Sequence, residues 1–227
     1  MLYAISDLHG CYEQYMEMLE RIALRDTDTL YVLGDVIDRG AGGIDILLDM
    51  MHRPNIKPFI GNHESLALGV MKRYALSPDT ASTLQNTKAH WIWMFCGGAP
   101  TERAFCALDK ETQRELIRYI ESFSIYDEIT VGGRQFHLSH TLPEYKPEQS
   151  IHDVSYLEFI HGEPDYEIAY AADTLFVTGH TPTNLIDPAC KGKIYKKHNH
   201  IVIDCGAVFG NPLGCICLDT LEEFYVK

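Results

Sequence analysis

The sequence predicts an α/β fold in which strands and helices alternate early and strands dominate late. In residues 1–76, short apolar runs of strand length alternate with segments whose apolar residues recur at helical spacing. The segment at about 77–123 is mostly helical in pattern, and from residue 124 onward short strand-like runs are separated by turn residues. The alternating part predicts parallel strands joined by helical crossovers.

Three strands and three helices account for the alternating part. The predicted strands are residues 2–6, 29–33 and 56–60. The apolar residues that follow the first strand at helical spacing are Tyr12, Tyr15, Met16, Leu19 and Ile22. The second helix is predicted at 44–51, and the third covers the run ESLALGVMKRYAL.

The later elements carry capping and turn signals. In the middle segment, Asp109 is a candidate N-cap for a helix whose apolar stripe contains Leu116, Ile117 and Ile120. The runs IYDEITV and RQFHLS flank the Gly-Gly pair at 132–133, which is typical of a two-residue hairpin turn. Further strands are predicted in TLFVTGH, HIVIDCG, GCICLD and EEFYV.

The chain organisation favours one domain, 1–227, with the mostly helical segment at about 77–123 as an insert. The sequence contains no internal repeat, low-complexity tract or long linker. The formal charge of −13 argues against a nucleic-acid partner, because phosphate backbones are held by basic surfaces. The one basic cluster, KGKIYKKH at 191–198, is interpreted as a solvated loop or hairpin.

The composition also bears on compartment and membrane partners. No apolar run approaches the ~18 residues of a spanning helix, so we expect no membrane partner. The seven cysteines are odd in number and form no C-x-x-C pair. They therefore favour reduced thiols in a cytoplasm over a disulfide framework.

Metal-competent side chains follow five of the predicted strands. The five sets are Asp7 with His9, Asp35, Asn62 with His63, His140, and His180. Ligands gather at the carboxyl ends of strands in open α/β sheets, so we expect these side chains to converge. Each set alone has an ordinary explanation as a helix cap, a turn or a core histidine, but the repetition favours a metal site. Carboxylate, amide and imidazole donors suit Mn²⁺, Fe²⁺ or Zn²⁺ better than Ca²⁺.

The motifs DLHG, GDVIDRG, GNHE, LSH and GHTP together resemble the motif set of the calcineurin-like metallophosphoesterases. Their form and spacing are similar to the phosphoprotein phosphatase branch, especially the small bacterial and phage-lambda-type serine/threonine phosphatases. This resemblance implies a four-layer α/β/β/α sandwich of two mixed β-sheets flanked by helices. It also implies a phosphatase that hydrolyses phosphate monoesters, including phosphoserine and phosphothreonine in proteins.

The resemblance implies a cofactor of two divalent ions, Mn²⁺ being expected and Fe or Zn the alternatives. Asp7 and His9 would bind the first ion, and Asp35 would bridge it to the second. The remaining ligands of the second ion would be Asn62, His140 and His180. An anionic bridge is also required on physical grounds, because two cations about 3.5–4 Å apart repel each other.

The resemblance also assigns roles to three other residues. A hydroxide shared by the metals would attack phosphorus, and His63 would protonate the leaving oxygen. Asp38 would orient His63 and raise the pKa of its imidazole. Arg39 would clamp the phosphate through its planar donors.

The sequence departs from the branch at a second phosphate-binding arginine. Residues 141–179 contain no arginine and only one lysine, Lys146, while His161 lies roughly where that arginine is expected. Cys96 also replaces the asparagine of an NGG-like segment. With the acidic residues Glu144, Glu163 and Asp165 nearby in sequence, the pocket is expected to prefer small phosphates to phosphoproteins.

Three functions remain open from sequence. The first is a metal-dependent phosphomonoesterase, and the second is a hydrolase of dinucleoside polyphosphates or other nucleotides. The third is a catalytically silent metal-binding scaffold, against which the presence of His63, Asp38 and Arg39 argues. The substrate would accordingly be a phosphoprotein, a nucleotide or a small phosphate ester.

Overall fold

The computed structural model describes residues 1–76, 87–146 and 148–227, and contains two β-sheets of five strands each. The first sheet has the strand order β10-β9-β1-β2-β3 and the second the order β4-β5-β6-β8-β7. The strands are β1 Leu2–Ile5, β2 Thr29–Val32, β3 Ile56–Pro58, β4 Tyr126–Val131, β5 Arg134–Ser139, β6 Thr174–Thr178, β7 Tyr195–Lys197, β8 His200–Val202, β9 Leu213–Cys217 and β10 Glu223–Val226. Both sheets are mixed and flanked by helices, which confirms the predicted α/β/β/α sandwich.

The first sheet contains the alternating elements that the sequence predicts. Strands β1, β2 and β3 are parallel, β9 is antiparallel to β1, and the edge strand β10 is antiparallel to β9. The helices that follow the three parallel strands are α1 Tyr12–Arg21, α2 Gly43–Met51 and α3 Asn62–Leu76. Strand β3 is two residues shorter than predicted. Just beyond it, the N–H of Phe59 still donates to the carbonyl of Val32 in β2, while the N–H of Ile60 donates to the carbonyl of Ser124.

The second sheet begins with the predicted hairpin. Strands β4 and β5 are antiparallel, and Gly132 and Gly133 turn the chain with φ of 56° and 82°. This left-handed region is open to glycine at little cost. The basic stretch at 191–198 contributes β7, which forms a hairpin with β8, so its interpretation as a hairpin is correct.

The middle segment packs three helices beside α3. They are α4 Lys88–Phe95, α5 Ala99–Ala107 and α6 Lys110–Glu121. Asp109 accepts hydrogen bonds from the backbone N–H groups of Glu111 and Thr112, as predicted for an N-cap. The first part of the predicted insert, 77–86, lies outside the described residues. No helix of the described ranges is long and apolar enough to cross a bilayer.

A core between the two sheets brings together the edges at which the strands with the polar motifs end. Residues of β1 and β2, such as Ala4 and Tyr31, are buried against Phe136, Leu138 and Val177 of the second sheet. The strands that carry the polar motifs therefore end on the same side of the sandwich. That edge holds the candidate active site.

Candidate active site

Backbone hydrogen bonds fasten the loops after β1 and β2 to each other. The N–H of Asp7 donates to the carbonyl of Gly34 at 3.1 Å, and the N–H of His9 donates to Asp35 at 2.9 Å. These bonds extend the pairing of β1 and β2 beyond the sheet. As a result, Asp7, His9 and Asp35 lie side by side although the sequence separates them.

Most of the predicted site residues have an unusual backbone conformation. Six of the nine have φ between 41° and 71°, and they are Asp7, His9, Asp35, Asp38, Arg39 and His180. The left-handed region costs a non-glycine residue roughly 1–2 kcal/mol. Such strain persists where surrounding contacts enforce it, and it is concentrated at functional sites.

A first group of potential ligand atoms surrounds one oxygen of Asp35. The Nε2 atom of His9 lies 3.7 Å from Asp35 Oδ2 and 4.0 Å from Asp7 Oδ1. His9 Nδ1 lies 3.0 Å from the carbonyl of Ile37, so an Nδ1–H there would donate and leave Nε2 as an unprotonated acceptor. Asp7 Oδ1 is buried and has no hydrogen-bond partner in the described part of the chain. A cation would satisfy this oxygen.

A second group of potential ligand atoms lies near the same oxygen of Asp35. Asn62 Oδ1, His140 Nε2 and His180 Nδ1 form a triangle with edges of 3.0, 3.1 and 3.1 Å. His140 Nε2 is also 3.5 Å from Asp35 Oδ2. His140 Nδ1 lies 2.7 Å from the carbonyl of Leu33, which fixes the ring orientation. Three donor atoms at this spacing fit the coordination shell of a transition-metal ion.

The electrostatics of these groups also suit cations. Burial raises the pKa of Asp35 well above its usual range, and the negative charges of Asp7 and Glu64 act in the same direction. Burial lowers the pKa of His9 well below its usual value and that of His180 to about 3. These two imidazoles are therefore neutral at physiological pH, the form that binds metal. Bound cations would supply the positive charge that Asp35 needs.

The predicted proton donor, His63, is held by a chain of hydrogen bonds. His63 Nδ1 lies 2.7 Å from Asp38 Oδ2, and the indole N–H of Trp93 donates to both oxygens of Asp38, at 3.1 and 3.0 Å. Burial alone would lower the pKa of His63. The hydrogen bond with Asp38 and the nearby carboxylate charges overcome that effect and raise it.

Arg39 is exposed. Its guanidinium contacts the imidazoles of His9 and His63. Its Nη1 donates to His9 Nε2 at 2.6 Å, and its Nη2 lies 3.1 Å from His63 Nε2. The backbone N–H of Arg39 donates to the carbonyl of Gly97 at 2.9 Å. The loop that contains Cys96 and Gly97 thus helps to position Arg39 beside His9 and His63.

Glu64 was not predicted from the sequence, yet its carboxylate connects two loops of the site by hydrogen bonds. Its carboxylate is fully buried and accepts from the backbone N–H groups of Asp35 (2.9 Å), Val36 (2.9 Å), Ile37 (3.2 Å) and Gly61 (3.1 Å). It therefore joins the loop after β2 to the loop before α3. Its place in the GNHE motif was the available signal, but a first-turn glutamate is ordinarily read as a helix-capping residue.

Asp204 was also missed, although the strand-end rule could have found it. It follows β8 in the run HIVIDCG and is buried at the same edge. Burial, followed by the charge of Asp7, raises its pKa well above the usual range. Its Oδ1 accepts from the N–H of Gly206 at 2.9 Å.

The structure places His161 and Lys146, the two residues noted in the stretch without the expected arginine, in different surroundings. His161 ends the short helix α7 Glu158–His161, and burial followed by the charges of His140 and His63 lowers its pKa. Lys146 instead lies 3.9 Å from Glu158 and lines a cavity of about 350 Å³ with Glu144. None of the nine predicted site residues lines that cavity.

Known proteins resemble this chain in sequence and in fold. A model of the calcineurin-like phosphoesterase family matches residues 2–206. A symmetrical bis(5'-nucleosyl)-tetraphosphatase from Salmonella paratyphi A is 37% identical over 70 residues, which cover 30% of this chain and only 25% of that relative.

Two solved structures share the fold across most of the chain. A candidate diadenosine tetraphosphatase has a TM-score of 0.67 at 15% identity and covers 99% of this chain and 92% of its own. A protein serine/threonine phosphatase from Saccharomyces cerevisiae with similarity to human phosphatase PP5 has a TM-score of 0.61 at 11% identity, covering 94% and 71%. At these identities the two structures establish the fold alone.

The role of Glu64 can be tested by Glu64→Gln. The amide would present N–H donors to backbone N–H donors, so we expect the free energy of unfolding to fall by about 1–3 kcal/mol. Urea denaturation without added metal measures this loss. The exposed Glu115→Gln is the control and should change the stability by less than about 0.5 kcal/mol. Equal effects of the two substitutions would refute the organising role of Glu64.

Proposed function

This chain belongs to the calcineurin-like phosphoesterase family of metal-dependent hydrolases, and we propose that it cleaves phosphate esters at a centre of two divalent ions. One observation carries the proposal. Asp35 belongs to both groups of potential ligands, one with His9 and His63 and one with His140 and His180. A carboxylate shared in this way is the bridge that two cations require.

The proposed ligands follow from the distances given above. Asp7, His9 and Asp35 would hold one ion, and Asp35 would share the second with Asn62, His140 and His180. Two such ions lower the pKa of water and neutralise phosphoryl oxygens when they are bound. The unpartnered Oδ1 of Asp7 and the neutral imidazoles support this ligand set.

Three side chains would act on the substrate and its leaving group. Arg39 would bind the phosphoryl oxygens, because its side chain is exposed and its guanidinium lies beside His9 and His63. His63 would protonate the leaving oxygen, since its raised pKa keeps a proton available near neutral pH. Asp38 is a positioning residue that acts through His63, and Trp93 holds Asp38 in place.

For the substrate, we propose small phosphates, with phosphate monoesters and dinucleoside polyphosphates as the two candidates. The sequence relatives named as symmetrical bis(5'-nucleosyl)-tetraphosphatases support the second candidate. Residues 141–179 contain no arginine that could supply a second guanidinium to a phosphoprotein.

A substrate panel tests this proposal. The protein, loaded in turn with Mn²⁺, Co²⁺ and Zn²⁺, is assayed with p-nitrophenyl phosphate, a phosphoserine peptide, mononucleotides and diadenosine tetraphosphate, with chromatography of the products. We expect nucleotides and simple esters to exceed the phosphopeptide in kcat/KM. A phosphopeptide preference would contradict the substrate class, and inactivity toward every compound would favour a silent scaffold.

The bridging role predicts a specific loss in Asp35→Asn. The amide removes the negative charge between the two ions, so we expect fewer than two ions per chain after dialysis against metal-free buffer. Elemental analysis by mass spectrometry measures the stoichiometry. Asp38→Asn is the matched control, because it lies outside the proposed ligand set and should keep two ions. Two retained ions in Asp35→Asn would show that Asp35 is not the bridge.

Asp38→Asn should also shift the pH dependence of catalysis. His63 must be protonated to act as the acid, so kcat falls as pH rises through its pKa. Because Asp38 raises that pKa, its neutral replacement should move this basic limb to lower pH. The kcat–pH profile of a substrate with a poor leaving group measures the shift, and His63→Asn should abolish the limb. An unmoved limb in Asp38→Asn would separate Asp38 from proton transfer.

A further inference from the structure

An exposed aromatic ring lies directly beside the proposed phosphate-binding arginine. Phe209 is 63% exposed, and its ring centroid lies 5.5 Å from the Cζ atom of Arg39. Arg39 in turn contacts the Nε2 atoms of His9 and His63. One side chain therefore separates this ring from the proposed proton donor.

The turn that carries Phe209 is tightly held. It is the 3₁₀ turn Ala207–Phe209, flanked by Gly206 at φ 79° and Gly210 at φ 81°. Buried Asp204 accepts from the N–H of Gly206 at 2.9 Å, and the side chain of Asn211 donates to the Gly206 carbonyl at 3.2 Å. The ring is thus presented by a fixed turn, which lowers the entropic cost of binding a flat ligand against it.

Arg39 is confined between this ring and the opposite loop. A Cβ atom placed on Gly97 would lie 3.0 Å from Arg39 Cγ, so the backbone there closes one side of the arginine. Phe209 lies against its guanidinium. A phosphate held by Arg39 would therefore lie close to Phe209.

We propose that Phe209 stacks against the nucleobase of a nucleotide whose phosphate is held by Arg39. This inference rests on the proposed phosphoesterase function and selects nucleotides among its substrates. Single exposed aromatic residues are common on protein surfaces, and Phe209 is distinguished from them by its position beside Arg39 and not by its exposure. Aromatic side chains bind nucleobases because every base presents a π-face, and a phosphoserine side chain presents none.

A purely structural role for Phe209 has a different signature. If the ring only orients Arg39, its removal weakens every phosphate ligand equally. If the ring stacks on a base, its removal weakens only ligands that carry one. Adenosine 5′-monophosphate and ribose 5-phosphate separate these roles, because they share the sugar phosphate and differ by the base.

The test is a calorimetric titration of Mn²⁺-loaded protein with these two probes. Phe209, Phe209→Leu and Phe209→Trp are compared in a His63→Asn background, so that the probes are not consumed. In the proteins that carry Phe209 or Phe209→Trp, we expect adenosine 5′-monophosphate to bind about 5- to 100-fold more tightly than ribose 5-phosphate. Phe209→Leu should bring the ratio of the dissociation constants close to one while ribose 5-phosphate binding is retained. Thermal melts check that each variant is folded.

Several outcomes would overturn the inference. They are equal binding of both probes to the protein that retains Phe209, no binding of either, a preserved ratio in Phe209→Leu, and equal weakening of both probes. Hydrolysis of p-nitrophenyl phosphate by the metal-loaded wild-type protein is measured separately. Activity without an adenine preference would reject only the role of Phe209, whereas inactivity across the substrate panel would reject the proposed function.

Discussion

The buried charge of Asp35 is the constraint on which the rest of the structure depends. A carboxylate removed from water is costly unless opposite charge or hydrogen bonds compensate for it. Asp35 is almost fully buried beside two other buried acids, Asp7 and Glu64. Of the nearby imidazoles, those of His9 and His180 have lowered pKa values and add little positive charge. His63, whose Nε2 lies 3.9 Å from Asp35 Oδ2, has a raised pKa and offsets only part of the buried negative charge. Divalent cations are the compensation that fits this set of donors.

The fold provides the rigidity that such a site needs. The core between the sheets brings the motif-bearing edges together, and six of the nine predicted site residues hold a left-handed backbone conformation in the loops just beyond the strands. Glu64 accepts hydrogen bonds from the loop after β2, while Trp93 and Thr101 of the helical segment form hydrogen bonds with Asp38. Donor atoms that are preorganised in this way avoid the entropic cost of assembling around a ligand.

The sequence predicts the side chains that could bind metal better than it predicts the residues that hold those side chains in place. Asp7, Asp35 and His140 stand out because each breaks an apolar strand pattern at its end, and such a break can be read without tertiary information. Trp93 carries no comparable signal, since a tryptophan in a helix ordinarily belongs to the core. Its hydrogen bonds with Asp38 depend on how α4 packs, which local pattern does not encode. The assignment of strands β9 and β10 to the first sheet is likewise a long-range outcome.

The most direct test of the two-ion centre is anomalous X-ray diffraction from crystals of the Mn²⁺-loaded protein, measured at the manganese absorption edge. We expect two anomalous peaks about 3.5–4 Å apart, with the carboxylate of Asp35 between them. One peak should contact Asp7 and His9, and the other Asn62, His140 and His180. A single peak, or two peaks that do not share Asp35, would contradict the account.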